Sequence, residues 1–354
     1  MPESIVSSIT AVPRPTLAQL VGGQTLDLPL LIQSATLGET KNGKPYLMLV
    51  LQDKSGDIAA RAWSDAARLA ALAEPGRVLR VRGQAVTFQD KLQIKVDTLD
   101  PLRPDEEEAY RATLVPSSSR APEEMEAELQ GLLRSFARPE LRRLMRRLFG
   151  DAEIGPLFRQ APAAKKMHHA YRGGLLEHTL SLARLADRVA AHYPRLDRDL
   201  LLAGALLHDL GKVYELVDDN GVFGYSDSGR LVGHLVQGAG MVRDAAAKIS
   251  DFPPDLLDQL LHLILSHHGR YEYGAPCLPM TPEAIVLHSL DDIDAKMQYL
   301  DGLAARLSGP GPHWTDYQRP LERRLFLRGR EDAGPDAEEE AADPAPPTPQ
   351  PRLF

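Results

Sequence analysis

The sequence predicts two unlike halves in series, an N-terminal all-β barrel followed by an all-α helical bundle. Three observations carry that expectation. Between residues 24 and 103, five apolar or alternating runs are broken by the turn signals Asn42-Gly43, Ser55-Gly56 and Pro75-Gly76. After Lys165, apolar residues recur at three- and four-residue spacing over long stretches, as amphipathic or buried helices require. All eleven histidines fall between His168 and His313, so the second half is also chemically distinct.

The five runs cover residues 28–37, 46–53, 58–63, 78–86 and 92–99, with a short Ala- and Leu-rich helix expected over 65–72. Five strands with a helix between the third and fourth is the order of an OB-fold barrel. Tyr46, Trp63 and Phe88 are its candidate stacking platforms for nucleic-acid bases, with Lys44, Arg61, Arg80, Arg82 and Lys91 as phosphate partners. Trp63 could equally fill the barrel. Residues 24–103 hold eleven bases and nine acids, a charge of +2, which implies a modest groove.

Around the barrel, residues 1–23 read as an N-terminal extension and 104–122 as a linker of Pro, Ser and the acids 105–108. Residues 123–164 read as a helical connector, with Leu129, Leu132, Leu133 and Phe136, then Leu141, Leu144, Met145 and Leu148, on its apolar side. Arg142, Arg143, Arg146 and Arg147 lie opposite, as a solvated face or a nucleic-acid contact. The bundle is expected over 165–310, a helical or irregular segment over 311–330, and a disordered, acidic, Pro-rich tail over 331–354.

That tail carries seven acids and one base, −6 of the net −8, so the body is close to neutral and compatible with a nucleic-acid partner. The single cysteine, Cys277, excludes an intrachain disulfide and a multi-cysteine zinc site and fits a reducing cytoplasm. No apolar run is long enough for a membrane span, and the first 20 residues lack a secretory or transit pattern. The Ala- and Leu-rich helices leave room for a homo-oligomer.

The densest chemistry lies in His208-Asp209-Leu210-Gly211-Lys212. Adjacent His and Asp offer nitrogen and oxygen donors, and a carboxylate can bridge two cations. His178, His234, the pair His267-His268 and Asp291 bring the candidate ligands to seven, enough for two metals. His178, His208 with Asp209, His267 with His268, and Asp291 come from four separate predicted helices, as sites inside bundles do. The stretch 217–231 reads as a hairpin-like excursion ahead of the helix bearing His234. Asp292 and Asp294 compete with Asp291, whereas His192, His262, His288 and His313 read as core or surface residues.

The order His178, His208-Asp209, His234, His267-His268, Asp291, spread over 114 residues, resembles the HD phosphohydrolase superfamily in its two-metal form. An OB-fold ahead of such an HD-type helical bundle resembles the YhaM family of 3′-5′ exoribonucleases, over roughly residues 20–310. The supporting segments include His168-His169-Ala170-Tyr171-Arg172-Gly173-Gly174, Ser266-His267-His268-Gly269 and Leu287-His288-Ser289-Leu290-Asp291-Asp292-Ile293-Asp294-Ala295.

The resemblance implies one ion held by His178, His208, Asp209 and Asp291, and a second shared by Asp209 with His234, His267 and His268. Two divalent ions are implied, Mn2+ first, with Fe2+, Co2+ or Zn2+ also suited to the donors. Asp209 and Lys212 are then the catalytic candidates, Lys212 by neutralising charge on phosphate, with His169 assisting the leaving group. His168, Tyr171 and Arg172 would line the path of the strand. The implied activity is 3′-5′ exonucleolytic hydrolysis of single-stranded RNA, with single-stranded DNA as a further substrate. A phosphodiesterase of small or cyclic nucleotides and a non-catalytic nucleic-acid binder are the alternatives.

Overall fold

The computed structural model describes residues 15–89, 91–165, 169–305, 307 and 311–329. His168 and the acidic tail lie outside them. Five strands, β1 (Thr25–Glu39), β2 (Pro45–Asp53), β3 (Gly56–Ala62), β4 (Val78–Phe88) and β5 (Lys91–Pro101), close a barrel in the order β1-β2-β3-β5-β4. Helix α1 (Ala66–Ala70) lies between β3 and β4, as an OB-fold requires. The first half of β1 pairs with β4 and the second half with β2, and an irregularity between Ile32 and Ser34 bends the strand.

Alternation in β1 and β4 turns Leu28, Leu30, Leu79 and Val81 inward, where they pack with Leu47, Leu51, Ile94 and Leu99. Each such side chain contributes roughly 1.5–3 kcal/mol by leaving water. The outward positions of β4 carry Arg80 and Arg82.

The expected linker is instead largely helical. Helix α2 (Pro104–Leu114) starts with Pro in its first turn, followed by Asp105, Glu106 and Glu107. That acidic run is a helix start, favoured by proline's fixed φ and by the helix dipole, where composition alone suggested a linker. Glu107 is buried and accepts bonds from Arg77 Nε (2.9 Å), the Val78 amide (3.1 Å) and Arg111 Nη2 (3.1 Å). Burial opposes its charge, but these donors hold the carboxyl below its usual pKa.

The connector is likewise part of the bundle. Helices α3 (Pro122–Ser135), α4 (Pro139–Phe149) and α5 (Ile154–Gln160) bury Leu129, Leu133, Leu141 and Phe158 in one core with residues of the following helices. These are α6 (Gly174–His192), α7 (Arg198–Leu207), α8 (Lys212–Glu215), α10 (His234–Ala246), α11 (Pro254–Ser266) and α12 (Pro282–Ala304), while the short α9 (Asp227–Val232) ahead of α10 adds no residue to that core. Asp197 caps α7 by accepting from the Leu200 amide. The expected excursion after α8 is a hairpin, β6 (Leu216–Asp219) and β7 (Val222–Tyr225).

This hairpin ties barrel to bundle: Phe223 packs with Leu31 and Val78 of the barrel and with Leu114 and Val115 at the end of α2. Gln33 Nε2 also donates to the Gly221 carbonyl. Among the described residues, no helix is long and apolar enough to cross a membrane.

The described residues from Tyr299 onward form a second compact unit. The segment expected to be helical or irregular holds two short paired strands, β8 (Pro312–Trp314) and β9 (Phe326–Arg328), with Trp314 against Phe326. An aromatic cross-strand pair stabilises so short a ladder where the helical period is missing.

Candidate metal centre

The seven ligands expected from the sequence converge on Asp209, which lies just past the end of α7 and is almost wholly buried. Its two oxygens face different groups. Oδ2 lies 3.6 Å from His178 Nε2 and 3.3 Å from His208 Nε2, while Oδ1 lies 3.4 Å from His234 Nε2 and 3.7 Å from His267 Nε2. Asp291 Oδ1, from α12, joins the first group at 3.3 Å from His178 Nε2 and 3.8 Å from His208 Nε2. His268 joins the second, its donor atom within 4.8 Å of those of His234 and His267.

Every one of the five imidazoles is oriented the same way. Nδ1–H donates from His178 to Asp294 (2.7 Å), from His208 to the Ala205 carbonyl (3.0 Å) and from His234 to Glu215 (2.9 Å). It donates likewise from His267 to the Ile264 carbonyl (2.8 Å) and from His268 to the Tyr273 carbonyl (2.8 Å). With Nδ1 engaged, each ring presents Nε2 to the centre, where His178 Nε2 also lies 3.2 Å from His208 Nε2.

Gly211 makes the close approach of α8 and α10 possible. A Cβ at that position would sit 2.1 Å from the His234 carbonyl oxygen, so any other residue would push His234 away from Asp209. This gives the glycine of the His-Asp-Leu-Gly-Lys run a spatial meaning.

The donor set fits cations. Asp209 Oδ1 and His234 Nε2 are buried polar atoms without a hydrogen-bond partner, which is costly unless something else satisfies them. Three carboxylates, Asp209, Asp291 and Glu215, act on one ammonium, Lys212, whose Nζ lies 2.6 Å from Asp209 Oδ2. Burial penalises the Asp209 charge, yet Lys212 and His208 hold its carboxyl well below the usual range. Burial likewise opposes charge on His178, but Asp291 and Asp294 lift its pKa to about 9, so a cation bound at Nε2 would displace a proton there. Burial pushes His267 well below its ordinary value, and His268 below, so both are neutral donors.

A family model described as HD domain matches residues 175–296, and one described as OB-fold nucleic acid binding domain matches residues 31–102. The 3′-5′ exoribonuclease YhaM of Bacillus licheniformis is 37% identical over 308 residues, 86% of this chain and 95% of that protein. Its namesake in Bacillus subtilis (strain 168) is 36% identical over the same shares, and that of Geobacillus sp. (strain WCH70) is 35% identical over 86% of this chain and 92% of its own. The chain belongs to the YhaM family.

Around the centre of this YhaM-family chain, the three competing aspartates separate. Asp291 faces the histidines, Asp292 pairs with Lys296 on the exposed side of α12, and Asp294 sits behind His178, where Ser181 Oγ also donates to it. The expectation for His169 fails. It is buried behind His178, contacting Asp294 (3.3 Å) and the Tyr171 hydroxyl (2.7 Å), and does not line the open cleft beside Asp209.

Tyr171 and Arg172 are also engaged internally, Tyr171 donating to Glu177 (2.9 Å) and Arg172 pairing with Asp218. Proximity in sequence to the ligands placed them near the site but behind it. The cleft is lined by Asp209, Lys212 and Asp291, by Tyr273, which the sequence did not single out, and by His288, which it placed among core or surface residues. Nor did it single out Glu215. His288 carries no separate signal, although it lies three residues before Asp291 on one helix face.

On the YhaM-family barrel, Tyr46 and Trp63 stack at 4.9 Å, and Arg61 lies over Phe88 at 5.8 Å. Trp63 and Phe88 are about half exposed, so neither fills the barrel, and Lys44 and Lys91 are exposed. Arg80 and Arg82 differ from expectation. Both pair with Asp27, and Arg82 also pairs with Asp100, so their charge is already matched. Asp27 is the cross-strand partner of Arg82, a neighbour set by register and invisible in a strand read alone.

Proposed function

We propose that this chain is a metal-dependent 3′-5′ exoribonuclease that holds single-stranded RNA on its barrel and hydrolyses the terminal linkage in its bundle. The observation that carries the reading is Asp209, whose two oxygens face two separate sets of imidazole Nε2 atoms. His178, His208, Asp209 and Asp291 hold one divalent ion, and Asp209 shares a second with His234, His267 and His268. Mixed nitrogen and oxygen donors suit Mn2+, Fe2+, Co2+ or Zn2+, and Mn2+ is the ion proposed.

Bound there, the ions supply the Lewis acidity that phosphodiester hydrolysis draws on. The Lys212 ammonium, at the edge of the cleft, neutralises negative charge as it builds on the phosphoryl oxygens. Water adds to phosphorus while the bond to the 3′-oxygen of the shortened strand breaks, that oxygen takes up a proton, and a nucleoside monophosphate leaves. Asp294 and Glu215 keep His178 and His234 aimed at the centre.

Tyr46, Trp63 and Phe88 stack bases upstream, with Arg61 and Lys91 at the phosphates. Stacking is indifferent to the sugar, which supports single-stranded DNA as a further substrate. The single cysteine supports a reducing cytoplasm as the place of action.

The test is a ladder assay on 5′-labelled single-stranded RNA with Mn2+. Stepwise shortening from the 3′ end is expected. Inert RNA with a cleaved cyclic dinucleotide would turn the reading into a small-nucleotide phosphodiesterase, and binding with no cleavage of either into a non-catalytic binder.

A further inference from the structure

We propose that Tyr273, backed by Arg270, seats the base of the 3′-terminal nucleotide. This subsite rests on the exoribonuclease reading and adds what grips the end of the strand. The cleft beside Asp209 encloses about 240 Å3. That is below the roughly 300–1,000 Å3 of pockets that enclose a small-molecule ligand whole. Phosphate and sugar fill such a space, and the attached base is left at the rim.

Tyr273 is the one phenol ring among the described residues lining the cleft, and it is 59% exposed. The Arg270 guanidinium lies over the ring, 5.8 Å from its centroid, so a cation backs an aromatic ring that is more than half exposed to a π-partner. Stacking reads no sequence, which suits an enzyme that must accept every base in turn.

The ring stands on a fixed turn. The Tyr273 and Ala275 amides both donate to the Arg270 carbonyl, at 3.1 and 3.2 Å, and the Gly274 amide donates to Tyr271 at 2.9 Å. The same Tyr273 carbonyl accepts the Nδ1–H of His268 at 2.8 Å. One hydrogen bond therefore ties the position of the base to the position of a proposed metal ligand.

The test uses the full chain and two single-stranded RNA octamers, one ending in 2-aminopurine and one in an abasic ribose. With Mn2+, Tyr273→Ala is expected to raise KM for the base-bearing strand about tenfold, the scale of one base–aromatic stack, and to leave the abasic strand within about twofold. Tyr273→Phe keeps the ring and follows the unsubstituted chain. Bound to Asp209→Asn, which holds the strand uncleaved, 2-aminopurine fluorescence is quenched, and adding Tyr273→Ala removes the quench. Unchanged KM or an undiminished quench overturns the subsite and leaves the exoribonuclease reading standing. Failure of the unsubstituted chain to shorten either octamer overturns that reading, and the subsite with it.

Discussion

The barrel and the bundle both place charged side chains on regular elements, but they treat those charges in opposite ways. On the barrel, Arg80, Arg82, Asp27 and Asp100 are each about half exposed and neutralise one another in water. In the bundle, Asp209, His178, His208 and His267 are buried, bring oxygens and nitrogens within 3.3–3.7 Å, and leave Asp209 Oδ1 without a hydrogen-bond partner. Exposed pairs in high dielectric contribute little and tolerate loss, whereas buried polar groups depend on every partner. The difference teaches where substitutions will be felt: deep and few in the bundle, shallow and spread out on the barrel.

The largest effect is expected at the centre of the buried group. Asp209→Asn removes one of the charges shared by both ligand sets and is predicted to lower kcat on single-stranded RNA by about a thousandfold or more while leaving the far-ultraviolet circular dichroism unchanged. Full activity in that variant would erase the distinction between the two halves. One bond further out, Asp294→Asn keeps shape but weakens the acceptor for His178 Nδ1–H. A loss of roughly 10- to 100-fold in Mn2+ affinity, read by titration calorimetry, is the expected result.

The barrel should respond more mildly. Trp63→Ala removes the exposed partner of Tyr46 and is expected to weaken binding of long strands about tenfold while sparing a dinucleotide, which is too short to reach both halves. Arg82→Ala gives the smallest change, less than about twofold in strand affinity, because Asp27 and Asp100 already hold that charge. If Arg82→Ala proved as costly as Trp63→Ala, the ion pairs would have to open for phosphate, and the contrast would need redrawing.

What could be read from the chain follows the same division. The candidate ligands His178, His208, Asp209, His234, His267, His268 and Asp291, which the fold brings together, could be picked out because metal sites need particular donor types and the histidines gather in one half. The residues that aim them could not. Glu215 and Asp294 act through single bonds to Nδ1 atoms on other elements, and no spacing encodes a bond between α6 and α12.

The barrel strands were legible from alternation, but the match of Arg82 with Asp27 needs the register of β1 on β4. The α2 helix was missed because Pro104 and its acids serve as a helix start and resemble a charged linker equally well. His169 was misplaced because two chain neighbours can lie on opposite sides of a ligand, and it lies behind His178.

Diffraction from crystals soaked in Mn2+, with data collected at the manganese edge, tests the central claim most directly. Two anomalous peaks are predicted, one beside each oxygen of Asp209, the first among His178, His208 and Asp291 and the second among His234, His267 and His268. A single peak away from Asp209, or none at all in protein that still shortens RNA, would contradict the account.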